Sequence, residues 1–307
     1  MLDVVVVNWN AGPQLRECVA SIDKYGAGFV KKTIVVDNGS QDGSDGSLDD
    51  FANVTVIRAG SNLGFGKACN LGARHATSEY LLFLNPDAAL YPDTLFKVLA
   101  YMQDPENSKT GICGVQLLDE TGHIARSCAR FPSLTASLAH SAGLVRFFPR
   151  LGYAMTEWDH GQTRKVDQVI GAFFLVRRKL FETLNGFDER FFVYFEEVDF
   201  SYRARQADWV SVYLADAQAF HAGGGTSNQV KAHRLFYSLR SRVLYAFKHF
   251  SLLSAIGVLL TTLLIEPLSR SALALLRRSL SNLKETWAAY RMLWHWLPQW
   301  VLKGVTR

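Results

Sequence analysis

Three carboxylates, Glu196, Glu197 and Asp199, stand within four positions of one another, between the aromatic run Phe191-Phe192-Val193-Tyr194-Phe195 and Arg203. Carboxylates crowded among apolar neighbours resist ionising together, which tunes one of them toward service as a base near neutral pH. The same residues also read as an acidic helix start, because Glu and Asp in a first turn are favoured by the helix macrodipole. Arg203 lies four residues after Asp199, the spacing at which it can hold that carboxylate on a helix face.

Two further residues have the chemistry of cation ligands. Asp87 closes Asn85-Pro86-Asp87, where Pro86 biases Asn85 to an extended backbone and stiffens the turn. A hard divalent ion that bridges to phosphates takes one or two such carboxylates and completes its shell with substrate oxygens. His221 offers an imidazole, and the glycines 223–225 leave room beside it for a diphosphate. A capped turn and a structural histidine are the competing readings. Asp37, in Asp37-Asn38-Gly39-Ser40, can accept from a pyrimidine N–H or a ribose hydroxyl, whereas Asp42, in Asp42-Gly43, reads as a solvated turn.

Positioning these residues requires a layered scaffold. Apolar runs at Leu2–Val7, Thr33–Val36, Val54–Arg58, Tyr80–Leu84 and Ile112–Leu118 predict buried strands, and Val169–Arg177 and Trp209–Ala215 predict two more. Helical spacing falls between them at Leu15–Tyr25, Asn62–Ala76, Pro92–Gln103 and Lys179–Leu184. Alternating strands and helices predict an α/β fold with a mostly parallel central sheet flanked by helices. Ligands of such sheets collect at the carboxyl ends of the strands, where Asn8, Asp37, Asn62 and Asp87 fall. The segment Asn62–Asn70 lacks both the dinucleotide and the P-loop glycine patterns. Its small residues suit either a helix N-terminus that approaches a ligand or close packing on the sheet. Residues 122–149 show no single period.

Charge divides the 307-residue chain. From Gln229 onward there are 12 basic and two acidic residues, a balance of +10, while the first 228 residues carry 21 basic and 26 acidic, a balance of −5. A basic tail rich in Leu and Trp behind a mildly acidic body points to an anionic partner surface. Ser251–Ile265 is a 15-residue stretch without charge, too short as a helix for a hydrocarbon core of about 30 Å. Glu266, Pro267 and Arg270 then predict a helix lying in the interface or dipping into it rather than a full span. Arg277, Arg278, Lys284 and Arg291 with Trp287, Trp294, Trp296 and Trp300 form a basic–aromatic pattern suited to a membrane surface and not to nucleic acid. A helical appendage that packs on the domain is the alternative. Four unpaired cysteines without metal spacing and an N-terminus without a secretory pattern fit a reducing compartment, at the cytoplasmic side of the inner or plasma membrane, as a peripheral or monotopic protein.

Taken in order, Val7-Asn8-Trp9-Asn10, Val36-Asp37-Asn38-Gly39-Ser40, Asn62-Leu63-Gly64-Phe65-Gly66, Asn85-Pro86-Asp87, Gly171-Ala172-Phe173, Gly186-Phe187-Asp188-Glu189, Glu196-Glu197-Val198-Asp199 and His221-Ala222-Gly223-Gly224 resemble glycosyltransferase family 2, and within it the bacterial rhamnosyltransferase-like branch. The resemblance implies a GT-A (Rossmann-like) domain over residues 1–228 and a helical membrane-associating region over 229–307. It implies inverting, Mg²⁺- or Mn²⁺-dependent transfer of rhamnose or a related hexose from a dTDP- or UDP-sugar to a saccharide acceptor, lipid-linked through a polyprenyl diphosphate. Asp37 would bind the nucleotide base, with Asn8, Asn10, Asn62, Gly66, Asn70 and Asn85 on the donor side. Asp87 and His221 match metal ligands, and Glu197 matches the base, with Asp199 and then Glu196 as alternates. Two positions depart from the family pattern: Asn85 stands for the first aspartate of its metal motif, and Glu197 for the usual aspartate, a change of about one C–C step of ~1.5 Å.

Two rivals use similar residues. A nucleotidyltransferase would carry a Gly-rich, basic signature near its N-terminus, where Val7-Asn8-Trp9-Asn10 stands instead. A non-catalytic membrane-anchored binding protein would have no need of Asp87, Glu197 and His221.

Overall fold

A computed structural model describes residues 1–223 and 231–306, with the backbone alone at Ser47. Gly224 and Gly225, expected beside a diphosphate, lie outside the described residues. Twelve strands are formed among them: β1 (Leu2–Asn8), β2 (Val30–Asp37), β3 (Val54–Arg58), β4 (Tyr80–Leu84), β5 (Ala88–Leu90), β6 (Thr110–Leu118), β7 (Ile124–Ala125), β8 (Cys128–Ala129), β9 (Arg164–Val166), β10 (Gln168–Val169), β11 (Phe173–Arg177) and β12 (Val210–His221). The helices are α1 (Pro13–Tyr25), α2 (Phe65–Ala73), α3 (Thr94–Gln103), α4 (Leu134–Ser141), α5 (Arg178–Thr183), α6 (Glu196–Gln206), α7 (Lys231–His249), α8 (Leu252–Leu260), α9 (Glu266–Leu276) and α10 (Leu280–Lys303).

Ten strands make one sheet in the order β3-β2-β1-β4-β11-β6-β12-β5, with β7 beside β6 and β9 beside β12. The pairings send β1, β2, β3, β4, β6 and β12 in one direction, six of the ten, and reverse the rest. The sheet is therefore mixed and mostly parallel, as expected. Strands β1 and β4 are buried along their whole length, which is why they read as unbroken apolar runs. Helix α1 starts with Pro13 in its first turn and buries Leu15, Cys18, Val19 and Ile22, one face at helical spacing.

Two of the expected strands differ in extent. The run Val169–Arg177 is broken at residues 170–172, where the Ala172 carbonyl accepts from Asn85 N–H at 3.0 Å, and only Phe173–Arg177 enters the main sheet. The strand expected at Trp209–Ala215 instead runs to His221. Its pairing with β6 jumps from Leu214↔Val115 to Gln218↔Gln116, so Ala215, Asp216 and Ala217 bulge out and pairing resumes beyond them. The bulge hides the second half of the strand from a reading of period and delivers His221 to β5.

The chain divides into two compact units. The first comprises Met1–Ala129, Trp158–Glu189 and the described residues from 196 to 223; the second comprises Arg130–Glu157, Arg190–Phe195 and the described residues from 231 onward. In the second unit α8 and α9 are joined by a π-helical turn, Thr261–Ile265, into one helix of 25 residues, Leu252–Leu276, apolar and long enough by composition and length to cross a membrane. Glu266 and Pro267 do not interrupt it. Pro267 follows the π turn, where the carbonyl ladder is already offset, so its missing N–H is tolerated. Glu266 is buried and accepts from both Arg242 and Arg270. One face of this helix packs within the unit through Ala255, Gly257 and Val258, with Leu134 of α4 against Gly257. The opposite face leaves Leu253, Leu260, Leu264, Leu268 and Leu275 exposed.

Candidate active site

Parallel pairing of β1 with β2 sets Asn8 beside Asp37 at the carboxyl ends of both strands. Asp37 is buried there: Oδ1 accepts from the Asn8 side chain at 3.1 Å and Oδ2 from Ser40 N–H at 3.3 Å. Asn8 also reaches the hydroxyls of Ser40 and Ser44. Asn10, left-handed at φ 51, accepts from Gln41 N–H at 2.7 Å. Asp42 caps the turn, accepting from Gly12 N–H and Ser44. Asn38, a turn residue by sequence, ties the next loop down: its Oδ1 accepts from Leu63 N–H and its Nδ2 donates to the side-chain Oδ1 of Asn62.

Asn85-Pro86-Asp87 links β4 to β5. Antiparallel pairing of β5 with β12 puts Ala88 opposite His221, and Asp87 Oδ1 lies 3.4 Å from His221 Nε2. The Asp87 carbonyl accepts from Ala222 N–H at 3.1 Å, which fixes the chain just past the histidine. Cys18 of α1 packs beneath; burial, and the nearby charge of Asp87, push its thiol far up, so it is an inert packing group. An oxygen and a nitrogen this close, both partly buried, suit two ligands of one cation bound at about 2.0–2.2 Å each. Among the described residues no group of three His, Cys, Asp or Glu side chains could hold a metal ion. Phosphate oxygens and water would have to complete the shell, as they do for Mg²⁺.

The acidic stretch is the start of α6, as an acidic helix N-terminus would be, and its carboxylates differ sharply in their surroundings. Asp199 is fully buried and pairs with Arg203 at 2.8 Å, and the same guanidinium donates to the carbonyls of Leu184 and Gly186 at 2.6 and 2.8 Å. That pair anchors the helix to the preceding turn. Glu196 is buried against α2, where a Cβ on Gly66 would come within 3.3 Å of the Glu196 Cβ. Glu197 differs in exposure: it is only partly buried, although its Oε2, like that of Glu196, has no hydrogen-bond partner. Burial pushes its carboxyl above the usual carboxylate range, against the pull of backbone N–H groups of Glu197 and Val198. Both glutamates lie near Cys69 of α2, whose thiol is raised by burial and then by these two charges.

The backbone immediately before α6 is strained, with Tyr194 at φ 67 and Phe195 at φ 72. Left-handed conformations of bulky residues cost about 1–2 kcal/mol each and persist only where surroundings hold them. Within the second unit, Ser241 donates to the Val193 carbonyl at 2.9 Å, and Phe192 and Phe195 meet the rings of Tyr237 and Tyr245. On the other side of the motif, Phe187 stands among Phe83, Phe174, Phe181 and Phe200. Asn70, expected on the donor side, gives both ends of its amide to Phe187, accepting from its N–H and donating to its carbonyl at 2.9 Å each, and a Cβ on Gly186 would strike it.

A profile of glycosyl transferase family 2 matches residues 3–184. An N-acetylglucosaminyl-diphospho-decaprenol L-rhamnosyltransferase of Mycobacterium tuberculosis is 31% identical over 238 residues, covering 72% of this chain and 76% of that protein. The rhamnosyltransferase WbbL of Escherichia coli K12 is 31% identical over 183 residues, 56% of this chain and 64% of that one. In fold, the chain is similar to a mannosyltransferase from Pyrobaculum calidifontis solved with GDP-Man and Mn²⁺, with TM-score 0.57 and 19% identity over 99% of this chain and 81% of that one. With its sheet, its motifs and these relatives in accord, the chain belongs to glycosyltransferase family 2 and is a glycosyltransferase of GT-A fold.

Proposed function

We propose that the chain transfers rhamnose or a related hexose from a dTDP- or UDP-sugar to a saccharide on a polyprenyl diphosphate, by single displacement with inversion, in cell-surface polysaccharide assembly. One observation carries the proposal. The carboxyl edge of the sheet holds the Asn8–Asp37 pair and the Asp87–His221 pair, and beside α2, which follows β3 at that edge, stands the partly exposed Glu197, its carboxyl raised above the usual carboxylate range by the burial of its tip. The names of the M. tuberculosis and E. coli relatives support the sugar and, for the former, the lipid diphosphate acceptor.

In this reading the Asp37 carboxylate, held by Asn8 and Ser40, receives the base or ribose, and Asn10, Asn62 and Asn85 border the donor. Gly66 and Asn70 act at one remove, by letting α2 approach Glu196 and by fixing the Phe187 turn. Asp87 and His221 would hold Mg²⁺ or Mn²⁺, which when bound offsets the charge of the departing diphosphate. Glu197 takes the proton from the acceptor hydroxyl, and its raised affinity for protons is what a base operating near neutral pH requires. Asp199 and Arg203 position α6, and Glu196 packs it on α2.

The second unit, with its exposed leucine face, would lie on the cytoplasmic face of the membrane where such an acceptor resides. Glu266 near the middle of the long helix is bound by Arg242 from α7, which favours a helix seated on its own unit and in the interface over one that crosses the bilayer.

A thermal-shift screen of nucleotide sugars with and without Mn²⁺ tests the donor half. A dTDP- or UDP-sugar that stabilises the protein only with the metal supports the proposal. Stabilisation by none, or release of pyrophosphate in place of a nucleoside diphosphate on incubation, contradicts it.

A further inference from the structure

Residues 143–152 stand apart from the long helix in sequence but belong to the same unit. Helix α4, capped by Ser133, packs through Leu134 on Gly257 of α8 and leads directly into them. They form two successive 3₁₀ turns, Leu144–Arg146 and Pro149–Leu151. Backbone N–H groups of Phe147, Phe148, Leu151 and Gly152 all donate within the segment, at 2.9–3.0 Å. A Cβ on Gly152 would meet Val145 at 3.1 Å, so the two turns close on each other.

This folded segment turns its apolar side chains outward. Phe147 is 74% exposed and Phe148 60%, with Leu144 and Leu151 also exposed. Arg146 and Arg150 flank them, exposed as well, and residues 142–153 contain no acidic side chain. Two adjacent phenylalanines in water forfeit the burial that fixes such residues in cores. N–H groups already paired within the segment lower one cost of approaching an apolar medium. Like-charged arginines on both flanks would repel across a contact between two copies but complement an anionic lipid surface.

We propose that Phe147 and Phe148 are a lipid-inserting tip, seated between Arg146 and Arg150 on an anionic bilayer, and that it anchors the second unit alongside the exposed leucine face of Leu252–Leu276. The proposal rests on the reading of that unit as membrane-associated and adds a second, separate point of attachment. The partner is a leaflet containing acidic phospholipid; the phenylalanines supply insertion and the arginines the preference for charge.

The four native cysteines are all buried, so the full-length Phe148→Cys protein takes an environment-sensitive fluorophore at one place. With vesicles of 30% phosphatidylglycerol in phosphatidylcholine, its emission is expected to rise and shift to the blue. In flotation, Phe147→Ser/Phe148→Ser is expected to bind these vesicles roughly 100-fold more weakly than wild type, about tenfold per phenylalanine. Arg146→Gln/Arg150→Gln is expected to lose binding selectively on the anionic vesicles, about fivefold per arginine. Unchanged melting temperatures will show that the exposed substitutions leave the fold intact. If wild type floats and the Phe147→Ser/Phe148→Ser protein floats equally, or if the fluorophore does not respond, the tip is refuted and the leucine face stands alone. If wild type does not float, both fail. A dimer that sedimentation detects in wild type and that the same double substitution abolishes would give the surface to a second copy and overturn the proposal.

Discussion

Replacing Glu197 by Gln separates catalysis from folding with one atom. Oxygen becomes NH₂, so the side chain keeps its volume and one acceptor for the backbone N–H groups of Glu197 and Val198, but can no longer take a proton. General bases contribute about 10²–10⁴ in rate, so kcat is expected to fall by that factor, about 2.7–5.4 kcal/mol at 1.36 kcal/mol per decade, while donor affinity persists. Stability should move the other way. The folded-state pKa of Glu197 lies above its unfolded value because burial disfavours the charge. Its contribution to stability is therefore complete below the unfolded pKa and is lost as pH rises through the folded one. Near neutral pH the wild type carries that loss and the glutamine variant does not. The melting temperature of Glu197→Gln should equal or exceed that of wild type at pH 7.5, and the difference should vanish in acid. The wild-type rate should rise with pH along a limb displaced upward from the ordinary glutamate range, and the variant should lack that limb. Single-turnover kinetics with a nucleotide sugar and a synthetic polyprenyl-diphosphate saccharide, beside calorimetric melts, measure both. A variant that turns over at the wild-type rate, or that loses activity only in proportion to lost folded protein, refutes the assignment.

Arg203→Ala removes the guanidinium that pairs with buried Asp199 and frees the Leu184 and Gly186 carbonyls. A cost of about 3–5 kcal/mol in urea unfolding at constant m is expected, and a cost below 1 kcal/mol would remove the anchor role. Asp87→Asn should abolish the Mn²⁺ dependence of donor binding in titration calorimetry; equal donor affinity with and without EDTA in the wild type would count against the metal pair. For Glu266, burial opposes ionisation, but the charges and hydrogen bonds of Arg242 and Arg270 outweigh it and hold the pKa below the usual value. Its stabilisation is present above the unfolded pKa and lost as pH falls through the folded one. Glu266→Gln should therefore melt well below wild type at pH 7 and converge with it under acid conditions, and a pH-independent gap would contradict this.

The parallel half of the sheet could be read from sequence because strands buried on both faces, such as Val4–Val7 and Tyr80–Leu84, leave unbroken apolar runs. The second half of β12 could not, because the bulge at residues 215–217 breaks the period, and with it the placement of His221 beside Asp87. Glu266 and Arg270 looked like interruptions of an apolar helix. Nothing local in the sequence reveals that Arg242, 24 residues earlier, meets Glu266 and lets the helix continue. The site residues were recognisable by type, but type does not separate a ligand from a brace. Asn8 and Asn70 read alike in the sequence, yet one joins Asp37 at the carboxyl edge and the other is committed to the backbone of Phe187. Likewise Glu196, Glu197 and Asp199 were ranked and not resolved. Only exposure and pairing distinguish them: Asp199 is buried with Arg203, Glu196 is buried against α2, and Glu197 alone stays partly exposed. Phe147 and Phe148 sat in a stretch without period, and only their exposure on a closed pair of turns marks them.

Single displacement across a base on one face and a cation on the other has one stereochemical consequence. Purified protein given Mn²⁺, an α- or β-linked dTDP- or UDP-sugar of known anomeric form and a polyprenyl-diphosphate saccharide should yield, by NMR at the first turnover, a glycoside of the opposite anomeric configuration together with the nucleoside diphosphate. A product that retains the donor's configuration would contradict the role assigned to Glu197 and the mechanism built on it.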